Sequence, residues 1–152
     1  MSVRSASHRL RIGRCAEQNR IYLLTANTRK REPVFQEYGL GRLIVHHFKE
    51  VQRQGVADTL AFVVMPDHFH WLVQLHRGSL GELMCRMKSL SAREVNETAG
   101  RTGSLWQHGY HDRALRREED LVKLARYVVA NPLRAGLVER LGDYPLWDAI
   151  WV

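Results

Sequence analysis

The sequence is poor in cysteine: among 152 residues only Cys15 and Cys85 occur. That excludes a disulfide scaffold and a zinc site built from cysteines. No stretch approaches the roughly 20 uninterrupted apolar residues that a membrane span needs. Met1 to Arg20 is basic but lacks the apolar run and small-residue cleavage site of a secretory signal. Internal repeats and low-complexity runs are also missing. Positive charge is plentiful, with 23 Lys and Arg against 16 Asp and Glu, a net +7. A 45% hydrophobic content is enough to build a core and argues against wholesale disorder. The expectation is one basic, intracellular domain over residues 1–152, with no membrane and a polyanion as partner.

The positive charge is unevenly spread. Arg4, Arg9, Arg11, Arg14, Arg20, Arg29, Lys30 and Arg31 fall in the first fifth of the chain, with Glu17 as the only acid among them. They predict a basic arm over about residues 1–20 flanking a first strand. A charge run taken alone is a solvated tail.

Ile21 to Thr28 is short, aliphatic and β-branched, and predicts that strand. After the RKREP loop, Leu40, Leu43, Ile44, Phe48 and Val51 recur at helical spacing over 38–54, with Gly55 as a stop. Thr59 to Met65 and His68 to Leu75 read as strands joined by the tight Pro66-Asp67 turn, hence antiparallel. Ser79 and Glu82 have capping-box spacing. The helix they open would turn Leu80, Leu83, Met84, Met87, Leu90 and Val95 inward. Trp106 to Leu115, broken by Gly109, is a weaker strand. Glu118, Glu119 and Asp120 suit the start of a last helix through Leu121, Leu124, Ala125 and Val128, which Pro132 closes. The order predicts an α+β fold: a ferredoxin-like β-α-β-β-α-β antiparallel sheet with added C-terminal helices. Such a fold hosts many functions and decides none.

Two segments could carry chemistry. In Met65-Pro66-Asp67-His68-Phe69-His70-Trp71, strand alternation points His68 and His70 to one side, about 7 Å apart, with Phe69 and Trp71 on the other. Two imidazoles on a rigid strand can grip one metal ion, although a His-x-His pair alone is more often ordinary surface or core histidine. In the second, Tyr127 and Asn131 lie four apart and so share one helical face, one above the other. Alone, they read as a half-buried aromatic and a helix-end residue.

Together, the segments VVMPDHFHWLV (63–73), SLWQHGYHDRAL (104–115), YVVANPLRAGLV (127–138) and GDYPLWDAIWV (142–152) resemble the small single-tyrosine transposases with a His-hydrophobic-His motif. Within these, the chain is most similar to the REP-associated tyrosine transposases of bacteria. The resemblance implies that His68, His70 and Asn131 hold a divalent cation, Mg²⁺ or Mn²⁺, and that Tyr127 attacks a DNA phosphodiester. It implies an endonuclease and strand transferase acting on single-stranded DNA with a REP-type hairpin through a 5′-phosphotyrosine. It also implies a bacterial, cytoplasmic, nucleoid-associated enzyme, and a monomer rather than a helix-exchanged homodimer. Lys123, one turn before Tyr127, is a candidate to activate the phenol. Arg4, Arg9, Arg11, Arg14, Arg29, Lys30, Arg31, Arg113, Arg116, Arg117 and Arg134 are candidate phosphate contacts. Trp106, Tyr110 and Trp147 are candidates for stacking on bases. The competing readings are a hairpin-binding protein with vestigial cleavage and a water-using metal phosphodiesterase in which Tyr127 is structural.

Overall fold

Alternation makes the first strand, β1 (Ile21–Asn27): Tyr22, Leu24 and Ala26 are buried, while Ile21, Leu23, Thr25 and Asn27 are half-buried on the other side. The computed structural model describes residues 20–116 and 119–150. Arg4, Arg9, Arg11 and Arg14 of the basic arm, Arg117, Glu118 and the Glu119 side chain lie outside the described residues. Helix α1 (Tyr38–Arg53) ends where Gly55 takes a left-handed φ of 75° that a side chain would resist. Strands β2 (Ala57–Met65) and β3 (His68–Leu75) form the antiparallel hairpin expected around Pro66-Asp67. Helix α2 (Leu80–Ala99) starts on the Ser79/Glu82 capping box. Strand β4 (His111–Ala114), helix α3 (Glu119–Val129), the short helix α4 (Asn131–Arg134) and strand β5 (Trp147–Ala149) complete the chain.

The sheet order is β4-β1-β3-β2-β5, antiparallel throughout. Its first four strands are the ferredoxin-like set. Phe48 of α1 stacks on Trp71 with ring centroids 4.5 Å apart and also meets Phe62 and Phe69. That packing places α1 on the face opposite the histidines. Alternation carries Ala61, Val63 and Met65 to the histidine face, where they too are buried, under α3 with its buried Leu121, Leu124, Ala125 and Val128. This cover ends at the middle of the sheet: over β1 and β4 the histidine face is half-buried to exposed, with His111 and Arg113 at its rim. No helix among the described residues is long and apolar enough to cross a membrane.

Five details depart from expectation. Leu90 is half-buried and Ser91 takes the inward place, because its hydroxyl accepts the buried Trp106 indole N–H at 3.0 Å. Trp106 is therefore core, against Phe35 and Phe69, rather than a base-stacking ring. The weak strand is only His111–Ala114, with Trp106 reduced to an isolated bridge to Thr28. Pro132 does not end the helical path: proline suits a first turn, and the chain re-enters helix at Asn131 after one residue. The C-terminal region, besides α4 and the helical turn Leu141–Asp143, supplies an unexpected edge strand, β5, on β2.

This last segment is pinned by Tyr144, buried, whose hydroxyl donates to the Val64 carbonyl at 2.6 Å; burial pushes the phenol pKa well up. Tyr144→Phe strands that carbonyl and should cost about 1–3 kcal/mol, measurable as a lowered denaturant midpoint.

Candidate active site

Strand β3 presents His68 and His70 on one face, as alternation requires, with ring centroids 5.0 Å apart and planes at 78°. The rings lean together, closer than strand spacing alone suggests. Each ring is held at Nδ1. His68 Nδ1 lies 2.8 Å from Asp67 Oδ1, and Arg31 Nε donates to Asp67 Oδ2 at 3.0 Å. His70 Nδ1 lies 2.7 Å from the hydroxyl of Thr25, its cross-strand partner on β1. Both Nε2 atoms are thereby left for other work.

Burial, the largest effect, holds His68 below its ordinary pKa; the Asp67 carboxylate only partly restores it, and Arg31 works against that. Burial, then His68, then Arg134 push His70 down to about 4. Burial raises the Asp67 carboxyl, but the hydrogen bonds from His68 and Arg31 outweigh it and hold it below the usual carboxylate range. The consistent state at neutral pH is an ionised Asp67 accepting from a neutral His68. Neutral imidazole is the form that ligates a metal.

Tyr127 is 59% exposed on α3, next to α4. The Arg134 guanidinium lies 3.7 Å from the centre of its ring, a cation–π contact. The same guanidinium acts on His70. Asn131 opens α4 and is half-buried; among the described residues its side chain has no hydrogen bond to either imidazole. Lys123 is exposed one turn before Tyr127, without a bonding partner among the described residues. Arg29, Lys30, Arg113 and Arg116 are exposed, while Arg31 is engaged with Asp67. Trp147 is half-buried and donates to the Leu141 carbonyl at 3.1 Å, and Tyr110 is half-buried.

Three participants have no sequence signature. Asp67 reads only as a turn residue, although its place beside a candidate ligand is a usable signal. Thr25 lies 45 residues from His70 and is found only through strand register. Arg31 reads as a DNA contact, not as the partner of Asp67.

The family model described as IS200-like transposase matches residues 17–131. The chain belongs to that family. A provisionally named REP-associated tyrosine transposase of Haemophilus influenzae is 27% identical over 109 residues, 64% of this chain and 62% of that protein. The REP-associated tyrosine transposase of Escherichia coli K12 is 24% identical over 104 residues, 68% of this chain and 61% of that one. The chain therefore spans about three fifths of the length of these relatives. A solved REP-associated tyrosine transposase bound to a REP hairpin superposes with a TM-score of 0.68 at 23% identity, covering 86% of this chain and 76% of that one. It shares the fold with this IS200-like transposase.

The histidine pair offers two ligands of the kind a divalent cation accepts. Among the described residues no cluster of three or more His, Cys, Asp or Glu side chains could hold a metal. A third protein ligand here would have to be an oxygen from another residue type, the part the family resemblance gives to Asn131. With Nδ1 of His68 engaged by Asp67 and Nδ1 of His70 by the Thr25 hydroxyl, Nε2 is the nitrogen each ring has left to ligate, the arrangement in which a second partner orients a histidine ligand.

Proposed function

We propose that this IS200-like transposase is a metal-dependent endonuclease and strand transferase that acts on single-stranded DNA carrying a REP-type hairpin through a 5′-phosphotyrosine. The observation that carries this reading is the leaning His68–His70 pair, each ring held at Nδ1, in the same chain as an exposed Tyr127 capped by the Arg134 guanidinium. The relatives named for REP and the hairpin-bound neighbour support the choice of substrate.

His68, His70 and Asn131 would hold Mg²⁺ or Mn²⁺, of which Mn²⁺ accepts imidazole more readily. When bound, the ion supplies positive charge against a nonbridging phosphate oxygen. The rest is done by the chain. The Tyr127 phenol oxygen forms a bond to phosphorus as the bond to the 3′ oxygen breaks. The phenol gives up its proton to solvent, a loss that the positive charge of Lys123 on the same face favours, and the 3′ oxygen leaves as a hydroxyl by taking a proton from solvent. Arg134, with no carboxylate partner among the described residues, neutralises phosphate charge beside the ring. Because the phosphoester is retained on tyrosine, a 3′ hydroxyl can reverse the step without ATP, which suits rearrangement rather than degradation.

Incubation of the full chain with 5′- or 3′-labelled hairpin DNA and Mn²⁺ tests this. A covalent protein–DNA adduct on a denaturing gel, mapped to the Tyr127 peptide, is expected. Cleavage without an adduct would mean hydrolysis by water, and binding without cleavage a hairpin-binding protein. The monomer reading rests on β5 and Tyr144, which fill the β2 edge from within the same chain. A two-chain mass from solution scattering would overturn it.

Thr25→Val removes the hydroxyl that orients His70 while keeping the β-branched shape of the strand residue. It should weaken Mn²⁺ binding about 10–100-fold, measured by titration calorimetry, with little change in fold.

A further inference from the structure

A cleft of about 420 Å³ opens between the loops 29–33 and 101–104. Arg29, Lys30, Arg31 and Arg101 line it with the hydroxyls of Thr102 and Ser104. Its one acid, Glu32, is already paired with Arg101 at 2.7 Å, so the wall keeps a surplus of positive charge. The backbone beneath it is strained: Lys30 and Arg31 follow each other with φ of 57° and 56°, a left-handed geometry that costs roughly 1–2 kcal/mol per residue carrying a side chain. The surrounding bonds enforce it. The buried Thr28 hydroxyl lies 2.7 Å from the Glu32 carbonyl and 3.1 Å from that of Asp67, while Arg31 N–H donates to Thr28 and Arg29 N–H to Leu105. Strain maintained in this way clusters at functional sites.

Arg31 belongs to both places: it lines the cleft, and its guanidinium bonds Asp67 and lies 3.4 Å from His68 Nδ1. Arg31 thus joins the cleft wall to the outer side of the histidine pair.

We propose that this cleft holds backbone phosphates of the unpaired DNA strand next to the point of cleavage. The inference rests on the DNA-cutting reading for the identity of its ligand, not for the existence of the site. The lining explains what is recognised. It offers cations and hydroxyls, which suit phosphate oxygens, and no aromatic ring for a base, so the strand is held without regard to sequence.

The double variant Arg29→Gln/Lys30→Asn removes two charges from exposed side chains that have no bonding partner among the described residues. Asparagine also tolerates the left-handed backbone at position 30. Fluorescence anisotropy with a labelled dT oligonucleotide of about 16 nucleotides, in EDTA so that nothing is cut, provides the measure. A blunt duplex of equal length and thermal melting of the variant are the controls. The variant should melt like the wild type and bind the single strand about tenfold more weakly at low salt. The slope of log affinity against log salt should fall by about 1.4, at roughly 0.7 per lost contact, with duplex binding unchanged. Equal single-strand affinity and slope in variant and wild type would overturn the proposal, as would an equal loss on the duplex. The covalent-adduct assay reports separately: a wild type that never forms an adduct refutes the cutting mechanism and leaves the cleft result standing.

Discussion

Tyr127→Phe should abolish the covalent adduct and lower hairpin cleavage by at least about a thousandfold, while hairpin affinity changes less than about twofold. The asymmetry follows from what the change removes. Phenylalanine keeps the ring that lies under Arg134, so the contact at 3.7 Å and the packing of α3 survive. Only the oxygen is lost, and with it the group proposed to attack the phosphodiester. Binding depends on charge spread over many residues, so one uncharged atom weighs little in it. A loss of turnover at constant affinity is the signature of a group that acts only in the transition state. Residual cleavage close to the wild-type rate would transfer the chemistry to water and make Tyr127 structural.

What the sequence discloses depends on how local each interaction is. The His68–Leu75 strand, the Pro66-Asp67 turn and the Ser79/Glu82 box all depend on neighbours within a few residues, and the structure has them as expected. The β5 edge strand was hidden because Trp147–Ala149 is too short to show a period and is set by pairing with β2 some 85 residues earlier. Ser91 was hidden for a similar reason: its inward place is made by the indole of Trp106, not by the helical stripe. In the site, the imidazoles and the tyrosine could be nominated from spacing and resemblance. Thr25, and the double duty of Arg31 and Arg134, needed strand register and the approach of α4 to β2, which no local pattern encodes.

His70 carries the second large effect, and it appears even without DNA. In chelator-treated protein, stability should fall as pH drops from about 6.5 toward about 4. Burial holds the imidazole neutral in the fold, while the unfolded chain protonates it at its ordinary 6.5. The unfolded state thus binds more protons throughout that window. The contribution of His70 is complete above 6.5 and is lost as pH falls through about 4. The gap amounts to about 3 kcal/mol, the largest single term expected from this site. His70→Gln removes the titration and should flatten that part of the pH profile of thermal unfolding. The same variant should lose the stabilisation that saturating Mn²⁺ gives the wild type at pH 7.5, about 2.7 kcal/mol at a hundred times the dissociation constant. Its adduct formation should fall by more than about a hundredfold, since the orienting partners of metal ligands alone are worth up to that much. The two halves are separable. A pH profile unchanged by the substitution would mean that His70 does not titrate as a buried neutral group. Equal Mn²⁺ stabilisation of variant and wild type would mean that the ion is held elsewhere.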